Sequence, residues 1–182
     1  MTTLQRERSA LLVIDVQNGV VEDAFRRDEV IAAINEAVRR AREAEVPVIW
    51  IQHNDEEMAL NSERWQLVPE LDDRADEVHV NKSFKSSFEA TDLEERLGEL
   101  NVGHVFICGA QSDNCVRHTS HAALERGYDV TLIEDAHTTS SYRWRGQAIL
   151  AENTVHELNS AFNGYVVPGR VTALVTSNDL AF

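Results

Sequence analysis

Six short apolar runs, each followed by a segment of different periodicity, constrain this chain more than any other feature of it. The runs are Leu11–Val16, Val46–Gln52, Val78–Val80, Val105–Cys108, Val130–Ile133 and Val171–Val175. They are nearly continuous rather than alternating, the pattern required of strands covered on both faces of a sheet. Between them apolar residues recur at helical spacing. Val30, Ile34, Ala37, Val38 and Ala41 form one stripe, Leu93, Leu97 and Leu100 a second, and Ala148, Ala151, Val155, Leu158 and Phe162 a third. Thr91 and Glu94 have the spacing of a capping box, and Gly127 the position of a helix C′ residue. Strand and helix in alternation predict an α/β fold with a parallel sheet between two helical layers, because each parallel crossover must pass over a sheet face. Asn54–Asp76 and Ala136–Arg143 are expected to be long loops, which in a compact domain often carry function.

At 182 residues the chain fits one domain, 1–182, able to bury a substantial core. No apolar stretch approaches the roughly 20 residues of a membrane span. The charged start, Met1–Arg8, lacks the apolar centre of a signal peptide, so a cytoplasmic location is expected. A net charge of −14 opposes binding to nucleic acid and to anionic membranes. No GxGxxG follows the first strand and no GxxxxGK[ST] occurs, which argues against a nucleotide-binding module. The two cysteines, Cys108 and Cys115, are spaced neither as a CxxC redox pair nor as half a zinc site. Cys108, inside an apolar run, reads as a buried structural thiol.

Ligands of open α/β sheets bind beyond the carboxyl ends of the strands, and three residues of catalytic type occur at such ends. Asp15 closes the first strand in an apolar setting. It is either a cap or ion-pair partner, or a general base whose pKa burial has raised. Lys82 follows the third strand and is one of only two lysines among 17 basic residues. It is either an ordinary surface lysine or a compact cation suited to stabilising a thiolate. Cys115 follows the fourth strand at the start of a helix, where unpaired N–H groups and the helix dipole favour the thiolate. His118, three residues on, raises the rival of a Cys–His dyad.

These residues sit in contexts that resemble the isochorismatase-like cysteine hydrolases, a family that includes nicotinamidases and related small-amide hydrolases. The resemblance is carried by Leu11-Leu12-Val13-Ile14-Asp15-Val16-Gln17-Asn18, by Lys82 with Phe84, Ser87, Phe88 and Ala90–Leu93, by Cys108-Gly109-Ala110 through Cys115-Val116-Arg117, and by Ala123–Val130 and Glu134-Asp135-Ala136. It covers roughly residues 8–175, in order. It implies a Rossmann-like three-layer α/β/α fold with a six-stranded parallel sheet of order 3-2-1-4-5-6, and an Asp15-Lys82-Cys115 triad. It implies a cis peptide at Ala110–Gln111 and an oxyanion hole made by the backbone N–H groups of Gln111 and Cys115. The expected pocket residues are Gln17, His53, Phe84, Phe88 and Tyr142.

The activity implied is hydrolysis of a C–N bond in a small amide, ureide or carbamoyl compound through a thioester. The alternatives are a vinyl-ether hydrolase of the isochorismatase type and a catalytically silent oligomeric scaffold. The Asp-x-His…His metal cluster of nicotinamidases is not reproduced in Trp50-Ile51-Gln52-His53-Asn54-Asp55, which lacks a second nearby histidine. No metal and no cofactor are therefore expected. The partners expected are a small-molecule substrate and further copies of the chain, in a dimer or tetramer.

Overall fold

The computed structural model describes residues 4–182; residues 1–3, part of the charged start, lie outside it. The elements run β1 (Arg8–Ile14), α1 (Asn18–Val21), α2 (Arg27–Glu43), β2 (Val48–His53), β3 (Val78–Lys82), α3 (Leu93–Glu99), β4 (Val102–Ala110), a π turn (Ser112–Val116), α4 (Arg117–Glu125), β5 (Asp129–Thr138), β6 (Tyr142–Trp144), β7 (Gln147–Ile149), α5 (Ala151–Phe162) and β8 (Thr172–Val175). Six strands form one sheet in the order β3-β2-β1-β4-β5-β8, every pairing parallel. This is the expected 3-2-1-4-5-6 order, with the last strand renumbered by a two-stranded hairpin, β6–β7, that precedes it.

The strands are apolar throughout because both faces are covered. Leu12, Ile14, Ile49, Ile51, Val105 and Ile107 pack with residues of α3, α4 and α5. Leu11, Val13, Trp50, Phe106 and Cys108 pack with α2 and the C-terminal Leu180. Alternate residues of one strand thus feed two cores, the consequence of a period of two in a buried sheet. The stripe of α2 is buried as its spacing demands, with Ile31 added to it. Gly127 has φ +94 immediately after the C-cap Arg126 of α4, the left-handed C′ conformation that glycine adopts at no steric cost.

Three local expectations are corrected. β5 does not stop at Ile133. Its register against β4 jumps from Ile107–Leu132 to Gly109–His137, so a bulge intervenes and pairing resumes through Thr138. The expected loop 136–143 is instead a strand end and the start of the hairpin, and Ala148 lies in β7 rather than α5. The capping box is not formed. Asp92 is the N-cap of α3, Thr91 Oγ1 donates to Ser87 O and accepts from Leu93 N, and Glu94 pairs with Arg126 across to α4.

Candidate active site

β1 and β4 are neighbours at the point where strand order reverses, and their ends come unusually close. Ile14 pairs with Gly109, which has φ +115. A Cβ on Gly109 would lie 2.1 Å from the Ile14 carbonyl oxygen, so only glycine permits this approach. One residue beyond β1, Asp15 has φ +51, a left-handed conformation that aspartate tolerates better than most residues. Beyond Gly109 the chain passes through a cis Ala110–Gln111 peptide into the π turn. The Gln111 carbonyl accepts the N–H groups of Asn114 (3.0 Å) and Val116 (3.2 Å), which winds the turn that carries Cys115.

Lys82 ends β3, two strands away from β1. Its side chain reaches inward past the end of β2 and is wholly buried, as is Asp15. Lys82 Nζ lies 2.6 Å from Asp15 Oδ2 and donates to Cys115 Sγ (3.2 Å) and to the Phe84 carbonyl (3.2 Å). His53 Nδ1 is a fourth neighbour at 3.4 Å. A lysine ammonium can only donate, so His53 Nδ1 presents its lone pair, and its Nε2–H then faces Asp55 Oδ2 at 3.4 Å. Asp15 and Cys115 also lie close enough for each to influence the other's proton affinity. The three residues singled out at separate strand ends therefore converge on one point.

Burial sets the electrostatics. It raises the Asp15 pKa above the usual carboxylate range, and the Lys82 charge only partly offsets this. Burial and the Asp15 carboxylate push the Cys115 thiol up to about 12, with Lys82 opposing. Burial thus opposes the preference for the thiolate expected at a helix start. Cys108, fully buried, is pushed up further and donates to the Leu12 carbonyl at 3.6 Å. His118 does not face Cys115. Its Nδ1 contacts the Asn114 carbonyl at 2.7 Å, and the ring is exposed.

The expected pocket residues divide. Gln17 is fully buried, and its amide is committed to backbone: it accepts from His53 N, and donates to His53 O and Trp65 O. It ties β2 and the 54–76 loop to the end of β1 and has no side-chain N–H left for a ligand. Phe88 is also buried, packed in the core against Tyr128. Phe84 is 53% exposed, with its carbonyl on Lys82, and His53 touches the same ammonium. Tyr142, on the hairpin, borders an open cavity of about 880 Å³ together with Gln111, Asp113, Asn114, Thr139 and Trp144. A second cavity of about 540 Å³ also includes Gln111. Neither is lined by Asp15, Lys82 or Cys115; both meet at the residue after the cis peptide. Among the described residues no group of three or more His, Cys, Asp or Glu is arranged to hold a metal ion.

The pattern of the isochorismatase domain family matches residues 9–158. The chain belongs to the isochorismatase family. Streptothricin hydrolase of Streptomyces noursei is 33% identical over 140 residues, 74% of this chain but only 56% of that protein. The isochorismatase-family protein YddQ of Bacillus subtilis is 29% identical over 174 residues, 90% of this chain and 96% of the relative. The crystal structure of an isochorismatase from Pseudomonas putida KT2440 superposes with a TM-score of 0.84 at 24% identity, covering 96% of this chain and 90% of the other. That of a cysteine hydrolase from Pseudomonas syringae pv. phaseolicola 1448A gives 0.82 at 21% identity, covering 94% and 90%. These two likenesses establish a shared fold.

Within this isochorismatase-family chain, sequence reasoning missed a buried polar chain behind the π turn. Ser112, His137 and Asn159 are joined at 2.8 Å per link. The available signal was His137 itself, a histidine four residues past the end of the apolar run Val130–Ile133. It was hidden by the assumption that the strand ended with that run.

Proposed function

We propose that this isochorismatase-family protein is a cysteine-dependent hydrolase that cleaves a C–N bond in a small amide, ureide or carbamoyl compound. The observation that carries the reading is a single buried ammonium, Lys82 Nζ, in contact with both Asp15 Oδ2 (2.6 Å) and Cys115 Sγ (3.2 Å). Asp15, its basicity raised by burial, takes the Cys115 proton. Lys82 stabilises the thiolate as it forms. The thiolate attacks the carbonyl carbon, and the N–H groups of Gln111 and Cys115 receive the developing oxyanion. The C–N bond breaks as Asp15 returns the proton to the leaving amine. Water, deprotonated by Asp15, then cleaves the thioester and regenerates the thiol.

A thiol pushed up to about 12 suits this sequence, because the proton moves only when an electrophile arrives. The two open cavities that meet at Gln111, one of the proposed oxyanion donors, support a small substrate as the ligand. His53, Phe84 and Tyr142 are the residues of the expected pocket that fit this reading. Self-association belongs to it too, and a scattering mass of 20.5 kDa at working concentration would count against that part.

The test is a screen of small amides, ureides and carbamoyl compounds for amine or ammonia release. Cys115→Ala and Asp15→Asn are each expected to reduce turnover of any substrate found to background. Full turnover in Cys115→Ala would refute the reading, and loss in His118→Ala with retention in Asp15→Asn would replace the triad by the dyad.

A further inference from the structure

The buried chain Ser112–His137–Asn159 takes no part in the reaction just proposed, yet it touches the segment that carries the nucleophile. Ser112 and His137 are 0% and 1% exposed. Asn159 Nδ2 donates to the Glu134 carbonyl (3.0 Å), which turns Asn159 Oδ1 toward His137 Nε2. Nε2 must then carry the proton, Nδ1 is the acceptor, and Ser112 Oγ donates to it. The direction of every bond in the chain is thereby fixed. The charge acting on His137 is that of Asp135 on its own strand, whose carboxylate accepts from Ser177 N and Oγ. A second bond runs parallel to the first: Thr139 Oγ1 donates to Asp113 Oδ1 at 2.7 Å.

The end of β5 thus grips the π turn at two successive residues, Ser112 and Asp113, just before Cys115. A π turn winds more loosely than an α-helix and has poorer packing of its own. The position of Sγ against Lys82 and Asp15 therefore depends on what holds the turn from outside.

We infer that Ser112, His137 and Asn159, with Thr139, are positioning residues that hold the π turn so that Cys115 Sγ stays against Lys82 and Asp15. This rests on the triad reading above. Without the grip, Cys115 leaves its buried partners and behaves as an ordinary thiol.

The experiment is the pH profile of Cys115 alkylation by iodoacetamide, read by intact mass and peptide mapping, in the wild type and in Ser112→Ala, Ser112→Thr and Thr139→Val. The wild type is expected to show a midpoint displaced from that of a free thiol, about 8.5. Ser112→Ala and Thr139→Val should move the midpoint toward that value, and Ser112→Thr, which keeps the hydroxyl, should restore the wild-type profile. If both deletions melt at lower temperature but keep the wild-type midpoint, the residues are merely structural and the inference fails while the triad stands. A wild-type midpoint already near 8.5 overturns the triad, and this inference with it. Thr139→Val, close in shape to the native residue, keeps the test open should Ser112→Ala not fold.

Discussion

At the scale of single residues, Asp15 and Lys82 are tolerated inside the protein only as a pair. An isolated ion in such a place is strongly disfavoured, and removing one partner of a buried pair typically costs about 3–5 kcal/mol. Lys82→Met should destabilise the fold by about that amount in urea titration. It should also raise the Asp15 pKa further, because the Lys82 charge is the largest influence holding it down. A stability unchanged from wild type would mean that the contact is not made in solution. Gly109 makes the second residue-scale prediction. Gly109→Ala forces a methyl group against the Ile14 carbonyl at a φ of +115, and should cost roughly 3 kcal/mol or prevent folding. A melting temperature equal to the wild type would contradict the close approach of β1 and β4.

At the scale of elements, the junction of β5, α5 and the π turn contains a titratable group whose behaviour can be read in stability. Burial lowers the His137 pKa to about 4. In the unfolded chain histidine takes its proton near pH 6.5. Above that value His137 is neutral in both states and its contribution is complete. As the pH falls through 6.5 the unfolded chain binds the proton first, stability declines, and the decline from this residue ends near pH 4. The loss is on the order of 3 kcal/mol. Urea titrations at intervals over that range should show this slope in the wild type and not in His137→Gln; equal slopes would contradict it. The same junction shows where the sequence was hard to read. The apolar runs announce six strands, since continuous burial leaves a continuous apolar signature. A strand that resumes after a bulge leaves none, so Ala136–Thr138 looked like loop. The hairpin was hidden for a related reason. Its residues are exposed, and no core imposes a pattern on them.

At the scale of the whole molecule, topology brings the site together. Asp15, Lys82 and Cys115 are separated by 67 and then 33 positions along the chain, and no spacing rule unites them. Their residue types and strand-end positions were legible, and the family resemblance implied the rest. What could not be read was which side chains face outward. Gln17 lies three residues beyond the apolar strand β1, and only the backbone groups of His53 and Trp65, distant in sequence, explain why its amide is turned inward. Phe88 went into the core for want of any pattern separating it from the exposed Phe84. The reversal of strand order between β1 and β4 then fixes where chemistry can occur, with one candidate nucleophile at the reversal and the other thiol, Cys108, sealed in the sheet. The most direct test is therefore to quench the protein in acid while it turns over a substrate from the amide screen, and to map the mass of any covalent adduct. The account predicts an acyl group on Cys115 that is absent in Cys115→Ala. An adduct on Cys108, or turnover undiminished in Cys115→Ala, would contradict it.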